Sequence, residues 1–311
     1  MDLAKAFGID FSAPPPGRGL VVAFVGAGGK TSALFALAAE AIRAAAAGAP
    51  RASGLAPVIA TTTTRIADPR LEAGRPPLKV ILAPELASAE PPRDGAATLA
   101  EAIRGGARNG GLSRAEAPGN AVVVAASGEI PADQESGSPA KLAGIRPSRC
   151  AELAALCDLL LVEADGSRGR PVKAPGESEP AVPTLCDIVV GAVGLDCLGE
   201  PLGEAIAHRP EIFSPLVGCA PGEAISPRHV AALIRAPGGL FKGTPAAARR
   251  ILLLNKADAS DAGALRELLA LLDAPLGAAG KTAEGLASPC GRVAVCSLRR
   301  GEILETLNRS L

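Results

Sequence analysis

The chain has 311 residues, and 48% of them are hydrophobic, which is enough for a sizeable core and excludes a wholly disordered protein. Lys plus Arg and Asp plus Glu both number 32, so bulk electrostatic binding to nucleic acid or to an anionic membrane is not expected. With 2% aromatic residues and neither Trp nor Tyr, the chain also lacks the side chains that stack on bases.

Short apolar segments alternate with helix-like segments along the chain. Most of the apolar segments are continuous and not alternating in polarity, which is typical of strands buried on both faces of a parallel sheet. The sequence therefore predicts an α/β fold with a mostly parallel sheet flanked by helices. The predicted strands are 20–25, 57–60, 78–82, 121–126, 159–162, 187–193, 251–254 and 292–296, and the predicted helices are 30–47, 95–108, 148–157, 227–235, 261–272 and 301–309.

Residues 1–19 are interpreted as an N-terminal leader before one domain at 20–311. Two stretches interrupt the alternation of elements. Residues 84–119 are rich in Pro, Gly, Ala and Arg and are predicted to be a surface loop around one helix. Residues 166–249 hold one strand amid many Gly and Pro and are predicted to form a lid or a substrate-binding insert.

The cysteines and the terminus indicate a cytoplasmic protein. The seven cysteines are odd in number and contain no CxxC pair, so neither a disulfide framework nor a zinc knuckle is expected. The N-terminus lacks the unbroken apolar core of a secretory signal. The Ala-rich stretch 31–47 is interrupted by Glu40 and Arg43, so no membrane span is expected.

The strand at 20–25 runs directly into a glycine-rich loop and then into a helix, which is the context of a P-loop. The match to GxxxxGK[ST] is imperfect, because Phe24 occupies the first glycine position. The loop length is kept, as in the variant P-loops of metallochaperone and ParA-like NTPases. Lys30 is expected to reach the β- and γ-phosphates, and the Thr31 hydroxyl to bind Mg²⁺. The residues predicted to bind nucleotide here are Gly26, Ala27, Gly28, Gly29, Lys30, Thr31 and Ser32.

A second apolar strand ends in carboxylates, as a Walker B strand does. The segment 159–162 is followed by Glu163 and Asp165, and Gly166 completes an ExxG spacing that suits γ-phosphate sensing. The residues do not decide which acid faces the metal, and the spacing favours Glu163. Lys30, Glu163 and Asp165 are the predicted catalytic residues.

The strand at 251–254 runs into Asn255, Lys256, Ala257 and Asp258, which fits the NKxD motif. One carboxylate can accept hydrogen bonds from both N1–H and the 2-amino group of guanine, whereas adenine offers neither donor on that edge. This pattern favours GTP over ATP and leaves ATP open. Ser297, after the last strand, is a further candidate for a contact to the base.

The strand at 57–60 continues into four threonines at 61–64 and then Arg65. Threonine is ordinary at the polar end of a strand. In a P-loop fold this strand ends beside the nucleotide, so Thr63 is a candidate nucleotide contact, with Arg65 as the alternative.

These segments together resemble the YqeC-type family of accessory proteins for selenium-dependent molybdenum hydroxylases. The resemblance covers about residues 18–300 in the same order. It rests on VGAGGKTS at 25–32, TTTTRI at 61–66, VEADGSRGRPVKAPGESEP at 162–180, VGLDCLGEPL at 193–202, HRPEIF at 208–213, LFKGTPAAARR at 240–250 and LNKAD at 254–258.

The resemblance implies a cytoplasmic nucleotide-binding protein that serves maturation of a selenium-containing molybdenum cofactor. Its implied partners are a molybdopterin-type or selenium-containing small molecule and the apo-hydroxylase, and a nucleotide-dependent homodimer is a further expectation. The main hypothesis is a GTP-preferring, Mg²⁺-dependent P-loop NTPase. A kinase or nucleotidyltransferase and a non-hydrolysing nucleotide-gated chaperone are the alternatives.

Cations in the predicted insert are candidates for a second, anionic ligand, such as a molybdopterin phosphate or a selenium oxyanion. The alternative is that they are solvated surface charges, with Glu177 and Glu179 balancing them in a salt-bridged loop. The candidates are Arg168, Arg170, Lys173, His208, Arg209 and Lys242.

Overall fold

The computed structural model describes residues 1–48, 56–88, 95–104, 121–134, 137–273 and 290–308. The strands are β1 Leu20–Gly26, β2 Ala56–Thr62, β3 Arg65–Ala67, β4 Leu78–Leu82, β5 Val122–Ala126, β6 Gly128–Ile130, β7 Lys141–Ala143, β8 Cys157–Glu163, β9 Val172–Lys173, β10 Ile188–Gly194, β11 Ala207–His208, β12 Arg249–Asn255, β13 Arg292–Ser297 and β14 Glu302–Asn308. The α-helices are α1 Leu3–Phe7, α2 Lys30–Ala46, α3 Gly95–Arg104, α4 Cys150–Ala154, α5 Pro210–Val217, α6 Pro227–Arg235 and α7 Ala262–Asp273.

One large sheet organises the described part of the chain. Its strand order is β14-β13-β12-β10-β1-β8-β2-β5-β4, and every pairing is parallel except β13 with β14. All eight predicted strands lie in this sheet, and the predicted α/β class is confirmed. The continuous apolar runs are strands covered on both faces, since β2, β5 and β10 are buried along their whole length.

Each face of the sheet carries its own apolar core. On one face, Phe24 of β1 packs with Leu34 and Leu37 of α2. On the other face, Val21 belongs to a core that includes Leu268 of α7 and residues of α3, α4 and α6. A fully buried side chain of this size contributes about 1.5–3 kcal/mol, so these two layers fix the positions of the strand ends.

The predicted helix at 301–309 is wrong, because 302–308 form the antiparallel edge strand β14. The turn before it contains Gly301 with φ +70°, which folds the chain back onto β13. The register shifts opposite Val295 and Cys296, and Leu304 is 57% exposed there. The pattern of apolar residues was ambiguous, and pairing with the free edge of β13 outweighed helix propensity.

The helix predicted at 227–235 is confirmed as α6, and those predicted at 30–47 and 261–272 are confirmed as α2 and α7 to within one residue at each end. The two remaining predicted helices differ in extent. The helix predicted at 148–157 is the short α4, because the chain enters β8 at Cys157. The helix predicted at 95–108 is α3 as far as Arg104, and its last residues lie outside the described part. The same holds for most of the predicted surface loop at 84–119.

The segment 1–19, interpreted from the sequence as a leader, packs against the elements around the sheet, and the segment 166–249, interpreted as a lid or insert, forms part of the sheet. In the segment 1–19, α1 packs on α2, and the Glu40 carboxylate accepts hydrogen bonds from Leu3 N and Ala4 N at 2.9 and 2.8 Å. The segment 166–249 supplies the central strand β10 as well as α5 and α6. Among the described residues, no helix has both the length and the apolar character needed to cross a membrane.

Strand order determines where a site can form. After β1 the chain builds the β2, β5 and β4 side of the sheet, and after β8 it crosses to the β10, β12 and β13 side. The carboxyl ends of the parallel strands meet at one edge, and in sheets of this kind ligands bind where the strand order reverses, which here is beside β1. The glycine loop follows β1 at that point.

Candidate functional site

The glycine loop between β1 and α2 has a backbone that only glycine adopts easily. The φ angles of Gly26, Gly28 and Gly29 are +88°, +79° and +134°. A Cβ on Gly28 would lie 2.1 Å from Gly194 N, and a Cβ on Gly26 would lie 2.4 Å from Ala192 O. The loop is therefore fixed both by its own conformation and by close contact with the end of β10.

The amides of this loop divide into two groups. Ala27 N donates to Ala192 O at 2.9 Å, and Gly28 N donates to Arg170 O at 3.1 Å, so these two hold the loop in place. Gly29 is the N-cap of α2 and provides no side-chain cap. The first N–H groups of α2 have no intrahelical acceptor, and they are the donors suited to an anion.

The Lys30 side chain is buried, with 3% of the residue exposed. Its Nζ donates to Gly26 O at 2.6 Å and lies 3.2 Å from Asp165 Oδ1. Asp165 Oδ1 has no hydrogen-bond partner within the described residues, so the contact with Lys30 is electrostatic. The Lys30 ammonium group therefore contacts a carbonyl of the loop and lies beside a buried carboxylate.

The two acids after β8 face different partners. Thr31 Oγ1 donates to Glu163 Oε2 at 2.7 Å, whereas Asp165 Oδ2 accepts from Gly26 N at 3.0 Å. Burial raises the pKa of Glu163, although Lys30 and the Thr31 hydrogen bond oppose that effect. Glu163 is therefore the acid next to the P-loop threonine, and Asp165 is the acid under the loop.

The NKxD residues come to the same edge. Asn255 Nδ2 donates to Gly28 O at 2.7 Å, and Asn255 Oδ1 accepts from Leu298 N at 3.0 Å. Asn255 thus ties the glycine loop to the end of β13. Lys256 has φ +62°, and its Nζ lies 2.6 Å from Asp196 Oδ2.

Asp258 and Ser297 are in contact. A hydrogen bond from Ser297 lowers the pKa of Asp258, and Arg300 Nε lies 3.3 Å from Asp258 Oδ2. Asp258 is therefore an ionised carboxylate that lies after the carboxyl ends of the paired strands β12 and β13. It is close in sequence to Asn255, which links the glycine loop to Leu298.

The hydroxyl groups of the threonines after β2 and at its end donate hydrogen bonds to backbone carbonyls. Thr61 Oγ1 donates to Ala125 O at 2.8 Å, and Thr62 Oγ1 donates to Glu163 O at 2.9 Å. Thr63 Oγ1 donates to Ala181 O at 2.9 Å, which ties β2 to the chain returning after β8. Arg65 is exposed.

The chain leaves β8, forms a closed excursion at 164–181 and returns, with Ala181 N donating to Ala164 O at 2.9 Å. We call residues 164–181 the charged loop. Lys173, 1% exposed, contacts Asp165 Oδ2 at 3.0 Å, Glu179 Oε2 at 2.7 Å and Gly166 O at 2.7 Å.

Two further cations hold the charged loop from outside. Arg209 donates to Glu179, and Lys242 Nζ donates to Gly176 O and Glu177 O at 2.7 and 2.8 Å. Burial would raise the pKa of Glu179, but hydrogen bonds from Arg209 and Lys173 outweigh it and lower the pKa to about 2. Lys173, Arg209 and Lys242 therefore stabilise the loop itself.

Sequence reasoning missed some residues of this region. Arg75, in the connection before β4, lies with its guanidinium 4.6 Å from the Phe35 ring centroid and with Nη1 3.5 Å from Thr31 O. Its Gly- and Pro-rich surroundings gave no signal. Asp196 was also missed, although it belongs to the VGLDC segment and follows the end of β10.

Comparison with known proteins gives two matches. The family model described as YqeC protein matches residues 22–211, which is more than half of the chain. A stretch of 100 residues is 38% identical to an uncharacterized protein YqeC of Escherichia coli strain K12. That stretch covers 32% of this chain and 39% of the length of that relative. No solved structure matches the chain.

Proposed function

The chain belongs to the YqeC family, and from this premise we propose that it binds GTP with Mg²⁺ and hydrolyses it. The observation that carries the proposal is the glycine loop at the switch point of the sheet, with Lys30 beneath it and the Thr31–Glu163 pair beside it. A glycine loop that opens a helix is a ready site for a phosphate chain.

Lys30 would exchange partners on binding. Its Nζ now contacts Gly26 O and Asp165, and a phosphate chain above the loop would replace both contacts. Asp165 would keep Lys173 and the Gly26 N–H as partners, so no buried carboxylate would be left without a counter-charge. This arrangement lets the P-loop lysine leave at modest cost.

The Thr31 hydroxyl and the Glu163 carboxylate fit a magnesium ion. Mg²⁺ prefers oxygen ligands and keeps several of its waters, so a hydroxyl and a carboxylate 2.7 Å apart suit direct and water-mediated contacts respectively. When bound, the ion would neutralise charge on the phosphates. Thr31 and Glu163 would hold it, and Lys30 would orient the terminal phosphates.

Guanine preference follows from Asp258. The Asn255 side chain already hydrogen-bonds to Gly28 O and Leu298 N, so its role is structural. The Asp258 carboxylate would therefore be the group that recognises the base. The lowered pKa of Asp258 keeps it ionised and able to accept two hydrogen bonds from guanine. Ser297, bonded to Asp258, would fix the orientation of that carboxylate.

Base preference is tested by titrating the protein with Mg²⁺ and GTP, ATP or XTP. The wild type is expected to bind GTP about 100-fold more tightly than ATP, because a site built to hydrogen-bond rejects a base without the matching donors. Asp258→Asn is expected to shift preference toward XTP. Asp261→Asn is the matched control, because Asn caps helices as well as Asp. Tighter binding of ATP by the wild type would contradict the assignment.

A second candidate function is transfer of a phosphoryl or nucleotidyl group to a small acceptor. The observation that favours it is the charged loop, whose Arg170 carbonyl accepts from Gly28 N and thus lies against the glycine loop. Turnover that requires a small acceptor would support transfer. Turnover with GTP and water alone, or only with an apo-hydroxylase, would support a GTPase.

The pathway proposed for this activity is maturation of a selenium-dependent molybdenum hydroxylase, with the apo-hydroxylase as partner. This part of the proposal rests on the family resemblance. It is tested by loading apo-hydroxylase with cofactor in the presence of the protein and GTP. Activation that is the same with the wild type and with Lys30→Ala would contradict it.

A further inference from the structure

Two short strands that carry no residue of the proposed nucleotide site lie side by side. Strand β9 of the charged loop pairs with β11, which aligns Lys173 with His208, and Ala174 N donates to His208 O at 3.3 Å. These strands belong to the two segments 162–180 and 208–213. The fold therefore joins residues that are more than thirty positions apart beside the glycine loop.

Backbone strain in the described residues is confined to cations. The non-glycine residues with positive φ are Arg168 (+50°), which lies in the charged loop after β8, Arg209 (+65°), which follows β11, and Lys256 (+62°), which follows β12. A left-handed conformation costs a non-glycine residue about 1–2 kcal/mol. Strain of this kind is found at ligand sites, where it aims a side chain.

The carboxylates of this region are already paired. Asp165 contacts Lys30 and Lys173, and Glu179 contacts Lys173 and Arg209. The Arg168 side chain is exposed and makes no hydrogen bond or ion pair within the described residues. Arg209 directs one nitrogen to Glu179 and keeps further N–H donors.

The pKa of His208 is affected by burial and by the charged residues around it. Burial, followed by the charges of Arg209, Lys173 and Arg168, lowers the pKa of His208 to about 4, although Glu179 opposes this shift. The side chain is therefore neutral at about pH 7 and offers one donor and one acceptor. Besides Glu179, Arg209 feels the charges of Glu211, exposed in the first turn of α5, and of the buried Asp165.

We propose that Arg168, His208 and Arg209 bind a small tetrahedral oxyanion of the phosphate monoester class, as a second ligand beside the nucleotide. Two guanidinium groups and a neutral imidazole supply donors to such an anion, and arginine suits its geometry. For its role, as the acceptor substrate of group transfer, the inference rests on the second candidate function proposed above. Its binding can be measured without nucleotide.

The chain contains only two histidines, His208 and His229, which makes NMR a direct probe. Inorganic sulfate, whose charge is constant above about pH 3, is expected to raise the pKa of His208 by about 1 unit or more, because an adjacent anion stabilises the imidazolium. The His229 signal is expected to stay unchanged. A His208→Asn variant assigns the signals. A His208 signal that sulfate does not move would overturn the proposal.

Variants separate this site from the glycine loop. Arg168→Ala is expected to weaken inorganic phosphate binding, measured at the His208 signal, by about tenfold. The affinity of Arg168→Ala for GTP is expected to stay within about twofold of the wild-type affinity. Arg170→Ala, on the same loop, is the matched control and is expected to leave phosphate binding unchanged. Equal losses in the two variants would indicate general surface charge and contradict the proposal.

Lys30→Ala distinguishes failure of this inference from failure of the nucleotide proposal. If phosphate acts on His208 from the site proposed here, its effect persists in Lys30→Ala while GTP binding is lost. If the effect of phosphate disappears in Lys30→Ala, the anion occupies the glycine loop and the inference is wrong. If wild-type protein binds phosphate at His208 but no GTP, the nucleotide proposal fails alone.

Discussion

Two loops follow neighbouring strands at the same edge of the sheet, and they are held by different means. The loop after β1 is held by glycine geometry and by backbone contact with the end of β10. The charged loop after β8 is held by ion pairs of Glu179 with Lys173 and Arg209 and by hydrogen bonds from Lys242 to two backbone carbonyls. The first loop is a local property of its sequence. The second depends on residues brought from up to 66 positions away.

The largest loss of stability is expected from a substitution of Lys173 at the centre of the charged loop. Lys173→Met keeps the apolar stem but leaves Asp165 and Glu179 each short of a buried partner. Breaking a buried ion pair from one side costs about 3–5 kcal/mol. The free energy of unfolding, measured in urea, is expected to fall by this amount.

Lys242→Met is the matched control for that variant. Lys242 also holds the charged loop, but through two backbone carbonyls at a half-buried position. Its loss is expected to cost about 1–2 kcal/mol. Equal costs for the two lysines would show that the buried ion pairs are not what holds the charged loop.

An intermediate effect is expected in the glycine loop. Gly28→Ala adds a Cβ only 2.1 Å from Gly194 N at a φ of +79°. The left-handed conformation costs a non-glycine residue about 1–2 kcal/mol of stability, and the clash with the backbone adds to that cost. Gly17→Ala is the control, since Gly17 has φ +74° and nothing within 4 Å of the new Cβ. We expect urea unfolding to give at least about twice the loss for Gly28→Ala. A smaller loss than in Gly17→Ala would mean that the loop adapts.

The smallest effect on stability is a dependence on pH that involves Glu179 of the charged loop and His208 of β11, the strand that pairs with that loop. The pKa of His208 falls from 6.5 to about 4 on folding, so the unfolded chain binds its proton first. Stability is therefore full above about pH 6.5 and declines as pH falls toward 4. Glu179, lowered from 4.5 to about 2, adds a second decline below about pH 4.5.

Urea unfolding at a series of pH values checks these two windows. His208→Asn is expected to flatten the curve between pH 6.5 and 4 and to leave the decline below pH 4.5 in place. A wild-type curve that is flat in the upper window, or a variant curve that matches the wild type, would contradict the assignment of that window to His208.

The two loops also differ in how far the sequence predicted them. Strand, glycines, Lys30 and Thr31 are consecutive, so the P-loop pattern could be read directly, and the family resemblance drawn from such segments is confirmed. The sheet was predictable because buried parallel strands are continuously apolar. The roles of the predicted site residues remain predictions.

What the sequence did not reveal depends on long-range pairing. Glu179 was expected to balance cations in a salt-bridged loop, but the sequence did not indicate which ones, and the fold selects Lys173 of the same loop and Arg209, 30 residues farther along the chain. Glu163 and Asp165 could not be told apart by spacing, and the structure separates them through Thr31 and Gly26 N. β14 was missed because an edge strand takes its conformation from its neighbour.

Calorimetric titration with Mg²⁺ and GTP is the most direct test of the central claim, nucleotide binding at the glycine loop. Lys30→Ala is expected to weaken GTP binding by about 100-fold or more, because it removes the cation that faces the phosphates. The Lys242→Met control, from the other loop, is expected to bind as the wild type does. Unchanged affinity in Lys30→Ala, or a wild-type protein that binds no nucleotide, would contradict the account.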